Sequence, residues 1–119
     1  MNNIEYKIDS KESFDLIIIG NITKDYFNDS MDFQLGGPSL YAGITASKLG
    51  LKTLLISNHT INKSYFDNFP LLNVVNMPTD YDTEFLINYT NDQRKLVLKN
   101  KASKISLNFN NKIKTKMLM

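Results

Sequence analysis

The chain of 119 residues has no cysteine, one histidine, one arginine, three prolines and five glycines. Each scarcity excludes something. Without cysteine there are no disulfides and no thiolate metal sites, which fits a cytoplasmic protein. The single histidine, His59, has no sequence partner and reads as a loop residue rather than a catalytic base or metal ligand. No apolar run approaches the length needed to span a bilayer, because Leu16 to Ile19 runs directly into glycine and polar residues. The polar, acidic start (Met1, Asn2, Asn3, Ile4, Glu5) is no signal peptide. Two phosphate-binding motifs are also missing. There is no G-x-x-x-x-G-K-[ST], and the first apolar run is followed by G-N-I-T-K-D rather than G-x-G-x-x-G.

Acid is scarce at one end. Residues 1–60 carry five lysines against seven acids, whereas residues 61–119 carry eight lysines and one arginine against five, with none after Asp92. Asn, Lys and Ile supply 40 of the 119 residues, a bias that fits an AT-rich genome better than selection for phosphate contacts. The basic end lacks interleaved aromatics, so nucleic acid is the weakest candidate partner.

What is present reads as one short α/β domain. Phe14 to Gly20 (FDLIIIG) is a continuous apolar run, as expected of a strand buried on both faces of a parallel sheet. Asn21 to Asp32 reads as a polar connector, with Tyr26, Phe27 and Phe33 contributing to a short strand. Pro38 to Leu49 reads as a helix with proline at its first position and Gly50 as its stop. Lys52 to Ser57 is the next strand, which completes a βαβ pattern. Ile61 to Phe69 is read as a helix and Leu71 to Val75 as a strand. Thr83 to Thr90 and Arg94 to Lys99 alternate around Asn91, Asp92 and Gln93, the pattern of a β-hairpin. Ile105, Leu107 and Phe109 alternate briefly, and Lys112 to Met119 shows no period.

The chemistry centres on Leu35 to Gly50, L-G-G-P-S-L-Y-A-G-I-T-A-S-K-L-G. Glycine lacks a Cβ, so its amide can approach a ligand closely. The first amides of a helix lack intrahelical partners and carry partial positive charge. Gly36, Gly37 and Ser39 therefore suit a sugar hydroxyl or an anion, although a Gly-Gly pair also serves as a plain tight turn. Thr23 and Asp25 fall just past the carboxyl end of the first strand, where ligands of open α/β sheets bind. A carboxylate there can accept two hydroxyl hydrogen bonds, or stand as a solvated loop acid or a helix cap.

These segments together resemble the N-terminal part of the PfkB carbohydrate kinases, the ribokinase-like superfamily. The resemblance rests on strand-G-N-I-T-K-D, the L-G-G-P-S-L-Y-A-G run, K-T-L-L-I-S, and T-E-F-L-I-N-Y-T-N-D-Q-R-K-L-V-L-K, from about Asp15 to Ala102. It implies a partial ribokinase-like fold: a parallel-sheet βαβ core flanked by helices, with a small β lid hairpin. It implies ATP-dependent phosphorylation of a sugar, nucleoside or other polyol. By position, Asp25 and Thr23 would hold substrate hydroxyls, and Gly36 and Gly37 would line the floor. Tyr41 stands where many members have Asn, which opens the substrate to a ring contact or a different polyol such as a cyclitol. Thr83 and Arg94 would lie on or near the lid.

The family's Gly-Ala-Gly-Asp-like signature, which carries the catalytic base and the ATP and Mg site, does not occur in this sequence. Residues 1–119 are therefore expected to be the N-terminal portion of one domain, with the ATP-binding half absent. No catalytic residue, metal or cofactor is expected within them. The chain is expected to be inactive alone, as a product of premature termination or a frameshift. Alternatives are a non-catalytic polyol-binding module, and one half of a split kinase completed by another chain or by self-association. A bare sheet edge is expected to make it marginally stable.

Overall fold

The computed structural model describes residues 12–77, 79–105 and 114–119. The polar start, Met1 to Glu5, and Leu107 and Phe109 lie outside them. Among the described residues, eight strands form two sheets, accompanied by one α-helix and a short 3-10 turn. Strands β1 (Ser13–Ile19), β4 (Thr53–Asn58), β5 (Leu72–Met77) and β8 (Lys114–Leu118) make a parallel sheet in the order β5-β4-β1-β8. Strands β2 (Thr23–Phe27), β3 (Phe33–Gly36), β6 (Thr83–Thr90) and β7 (Gln93–Asn100) make a mixed sheet in the order β3-β2-β6-β7.

The parallel sheet forms where the apolar runs predicted it. β4 is buried along its whole length, as a strand covered on both faces must be. One face, with Leu16, Ile18, Leu55 and Leu72, packs against helix α1 (Pro38–Lys48). The other gathers Phe14, Ile17, Leu54, Ile56 and Met77. The helix can lie this close because Gly43 faces the sheet: a Cβ there would stand 3.0 Å from Leu72 Cδ1. At the helix end, Gly50 takes φ 90°, its amide donates to Ser47 O, and Leu51 N donates to Ala46 O. This pair of bonds is the Schellman arrangement that glycine permits.

Three expectations are corrected. The segment Ile61 to Phe69 is not a helix. Only Lys63–Phe66 coils, as a 3-10 turn capped by Asn62 Oδ1 accepting from Ser64 N, and further turns lead straight into β5. Asn21 to Asp32 is not a connector with one short strand. It holds β2 and the tight turn through Asn28 and Asp29, both at positive φ, that leads to β3. Thr23 and Asp25 thus lie within a strand of the second sheet, not in a loop. Last, the aperiodic C-terminal residues form β8, which pairs in parallel with β1, with Met119 N donating to Ile17 O at 2.7 Å. An open edge on β1 captures that backbone without needing an alternating pattern, so the edge expected to be bare on that side is paired.

The hairpin forms as expected, except that Gln93 belongs to β7 rather than to the connection and that β7 is exposed along nearly its whole length. Thr90 pairs with Gln93 across Asn91 and Asp92, at φ 49° and 64°. Two positive φ values match the right-handed twist of the flanking strands.

Candidate functional site

The mixed sheet turns one face toward the N-terminus of α1. Between them lies a cleft of about 420 Å³, lined on the sheet side by Thr23, Asp25 and Phe27 of β2, Phe85, Ile87 and Tyr89 of β6, and Arg94 and Leu96 of β7. Gly37, Pro38 and Tyr41 line the helix side. The alternation of a strand explains the membership, since residues two apart share a face. A larger concavity of about 660 Å³ lies at the hairpin tip among Asn28, Asp29, Asn88 and their neighbours. It has neither a helix terminus nor converging strands behind it.

Within the cleft, Asp25 is the carboxylate. Thr23 Oγ1 donates to its Oδ1 at 2.9 Å. Gly37 is the residue before the helix, at φ 98° and ψ 144°, a conformation that side chains strongly disfavour. A Cβ at Gly37 would also stand 2.9 Å from the carbonyl oxygen of Asn21. No side chain caps the first amides of α1, and its first turn holds no acid. Pro38 has no N–H and Tyr41 N donates to Gly37 O at 3.2 Å, so the first-turn amides without a helical partner are those of Ser39 and Leu40, which carry partial positive charge at the helix end next to this cleft. Donors on one wall and an acceptor on the other suit hydroxyl groups, which do both. Phe27 and Tyr89 stack with ring centroids 6.4 Å apart and give the cleft an apolar flank.

Of the residues singled out from sequence, Thr23, Asp25, Gly37, Tyr41 and Arg94 meet in this cleft. Tyr41 is 58% exposed. Three others stand behind it or apart. Gly36 lies beside Asp25. The Ser39 hydroxyl is engaged with Asn21 O at 3.2 Å. Thr83 sits at the base of the hairpin, where its Oγ1 accepts from Ala102 N at 3.1 Å.

No family model matches the chain, and no curated protein matches it. Solved structures do. A pyrophosphate-dependent kinase in the ribokinase family, solved with sulfate, matches over 76% of this chain and 35% of its own, at 26% identity and TM-score 0.64. Another structure of a pyrophosphate-dependent ribokinase-family kinase, complexed with a pyrophosphate analogue and myo-inositol, matches over 76% of this chain and 34% of its own, at 23% identity and TM-score 0.61. A sugar kinase from Pyrococcus horikoshii matches over 73% of this chain at 13% identity and TM-score 0.58. This is a ribokinase-family fold. The chain spans about a third of the length of these structures.

Within this fold the cleft is braced by a polar lock that the sequence did not announce. Asp82, only 4% exposed, accepts from Thr60 N at 2.7 Å and from the Thr60 hydroxyl, and it pairs with Lys24 Nζ at 3.0 Å. It thereby ties β2, which carries Asp25, to the loop after β4. Burial alone would push the Asp82 carboxyl up. The Thr60 hydrogen bonds and the Lys24 ammonium outweigh that and hold it below its ordinary value. Beside it, His59 is buried against the Phe66 ring, and its Nδ1 accepts from Ile61 N at 3.1 Å. Burial lowers the His59 pKa, and the Asp82 charge partly opposes this. Asn21 is a second fastener: its Oδ1 accepts from Asn58 N at 3.0 Å, and its backbone oxygen accepts from Ser39. These are long-range pairings of common residue types, and no local pattern distinguishes them.

Proposed function

We propose that this chain is the acceptor-binding part of a ribokinase-family kinase for a sugar or polyol, and that it does not transfer a phosphoryl group by itself. The observation that carries the reading is the meeting of the Asp25 carboxylate and the uncapped first turn of α1 in one cleft. Asp25, oriented by Thr23, would accept hydrogen bonds from guest hydroxyls. The amides of the first turn would donate to guest oxygens, and Tyr41 and Tyr89 would cover a ring. The relative solved with myo-inositol supports a polyol of that size.

Phosphoryl transfer also needs a donor site, charge neutralisation and a base for the attacking hydroxyl. Among the described residues no three His, Asp or Glu side chains gather as a metal site, and one carboxylate lines the cleft. The described residues bind and orient the acceptor. The donor, whether ATP with Mg or the pyrophosphate used by the relatives, falls to parts of the family fold outside the described residues. Among the described residues no helix is long and apolar enough to cross a membrane.

The test is titration of the chain with myo-inositol and a panel of sugars and nucleosides, followed by calorimetry or NMR. Binding by the chain and its loss by at least about tenfold in Asp25→Asn are expected, since a hydrogen bond to a charged group contributes about 1.5–3 kcal/mol. Absence of binding across the panel refutes the acceptor site. Acceptor-dependent consumption of ATP or pyrophosphate by the chain alone refutes the claim that it needs a partner.

A further inference from the structure

The two adjacent glycines of the cleft are glycines for different reasons. Gly37 is set by its backbone, at φ 98°. Gly36 has no such backbone requirement, and what constrains it is the space beside it. It lies in β3 directly opposite Thr23 in β2, while Asp25 pairs with Gln34. A Cβ on Gly36 would overlap Asp25 Oδ2, lie 3.0 Å from Asp25 Cγ and lie 3.1 Å from Thr23 Oγ1. The Asp25 carboxylate therefore rests over the place where a side chain of residue 36 would be. Thr23 closes the arrangement by donating to the other carboxylate oxygen. Gly36 is buried and does not line the cleft.

We infer that Gly36 is a positioning residue: its missing side chain is the seat of the Asp25 carboxylate, and it sets the direction in which that carboxylate meets a hydroxylated guest. The inference deepens the proposed acceptor site and rests on it for the guest, but not for the geometry. A methyl group at position 36 expels the carboxylate from its seat. Either Asp25 turns away from the first turn of α1, or β3 separates from β2. Thr23 hardly contributes to the clash, because its hydroxyl is a small group that can rotate.

The test is a double-mutant cycle on the 119-residue chain with Gly36→Ala, Asp25→Ala and both together, read by thermal melting and by myo-inositol titration. Gly36→Ala is expected to lower the melting temperature of the chain that keeps Asp25. In the Asp25→Ala chain it should cost less than half as much, because the group it displaces is gone. If Gly36→Ala fails to fold, recovery of folding in the double mutant is the same result. An equal loss in both backgrounds, or a double mutant as unfolded as Gly36→Ala, overturns the inference. In the binding arm, Gly36→Ala is expected to weaken myo-inositol by about tenfold or more, and unaltered affinity overturns it. A wild-type chain that binds no polyol removes the acceptor-site proposal, while the melting arm still decides what Gly36 does.

Discussion

Replacing Asp82 by alanine tests the lock that joins the two sheets. The carboxylate is 4% exposed and serves three donors: the Thr60 amide, the Thr60 hydroxyl and the Lys24 ammonium. Removing it takes the acceptor from the Thr60 amide, at a cost of about 0.5–1.5 kcal/mol, because Thr60 is exposed and water can replace the carboxylate. It also leaves Lys24 without a counter-charge. Loss of one partner of a fully buried pair costs about 3–5 kcal/mol. Lys24 retains 20% side-chain exposure and can turn partly to water, so the low end applies. The expected total is about 4 kcal/mol, which at an m-value of about 2 kcal/mol/M shifts a urea midpoint by about 2 M. Asp82→Asn keeps an acceptor for Thr60 but loses the charge, and should cost about 1.5–3 kcal/mol, the scale of a charged hydrogen bond. Combining Asp82→Asn with Lys24→Met should cost less than the sum of the two. The carboxyl is held below its ordinary value when folded, so its contribution is present above about pH 4 and is lost as pH falls through the folded value. A loss under about 1 kcal/mol for Asp82→Ala, or strict additivity with Lys24→Met, refutes the lock.

Three further outcomes are expected. Gly37→Ala should destabilise by about 1–3 kcal/mol from its backbone alone, and by more once the added methyl meets Asn21 O. Gly50→Ala, at φ 90° with open space around it, should cost only the backbone part; equal melting temperatures for the two variants would contradict this. His59 is held neutral by burial, so the unfolded chain takes up its proton first and stability should fall as pH drops below about 6.5. His59→Asn, which keeps an acceptor for Ile61 N, should flatten that slope in urea midpoints measured between pH 7 and 5, and an unchanged slope would count against the assignment. Asp92→Gly in the hairpin turn should stabilise by about 0.5–1 kcal/mol by relieving φ 64°, and a lower melting temperature would show that the turn is not strained there.

Where the local pattern and the tertiary role agreed, the fold was legible. FDLIIIG and KTLLIS read as buried strands and are β1 and β4; the Pro38 start and Gly50 stop bound α1; Asn91 and Asp92 mark the hairpin. Reading failed at β2, and it failed for a reason tied to the site. The positions of T-K-D-Y-F that face the cleft hold Thr23 and Asp25, polar groups that a core strand would not carry. β8 was missed because pairing with the edge of β1, not its own alternation, defines it.

Composition and spacing by themselves determined the element types along most of the chain, the glycine-rich helix start and the resemblance to a ribokinase-like fold, because periodicity and φ preferences act between near neighbours. Only the tertiary structure decided that Asp25 lies over Gly36, that Arg94 and Tyr89 share a wall with it, and that Asp82 reaches both Lys24 and Thr60. Those contacts join residues far apart in sequence. Their energies depend on burial and direction, which exist only once the two sheets have packed.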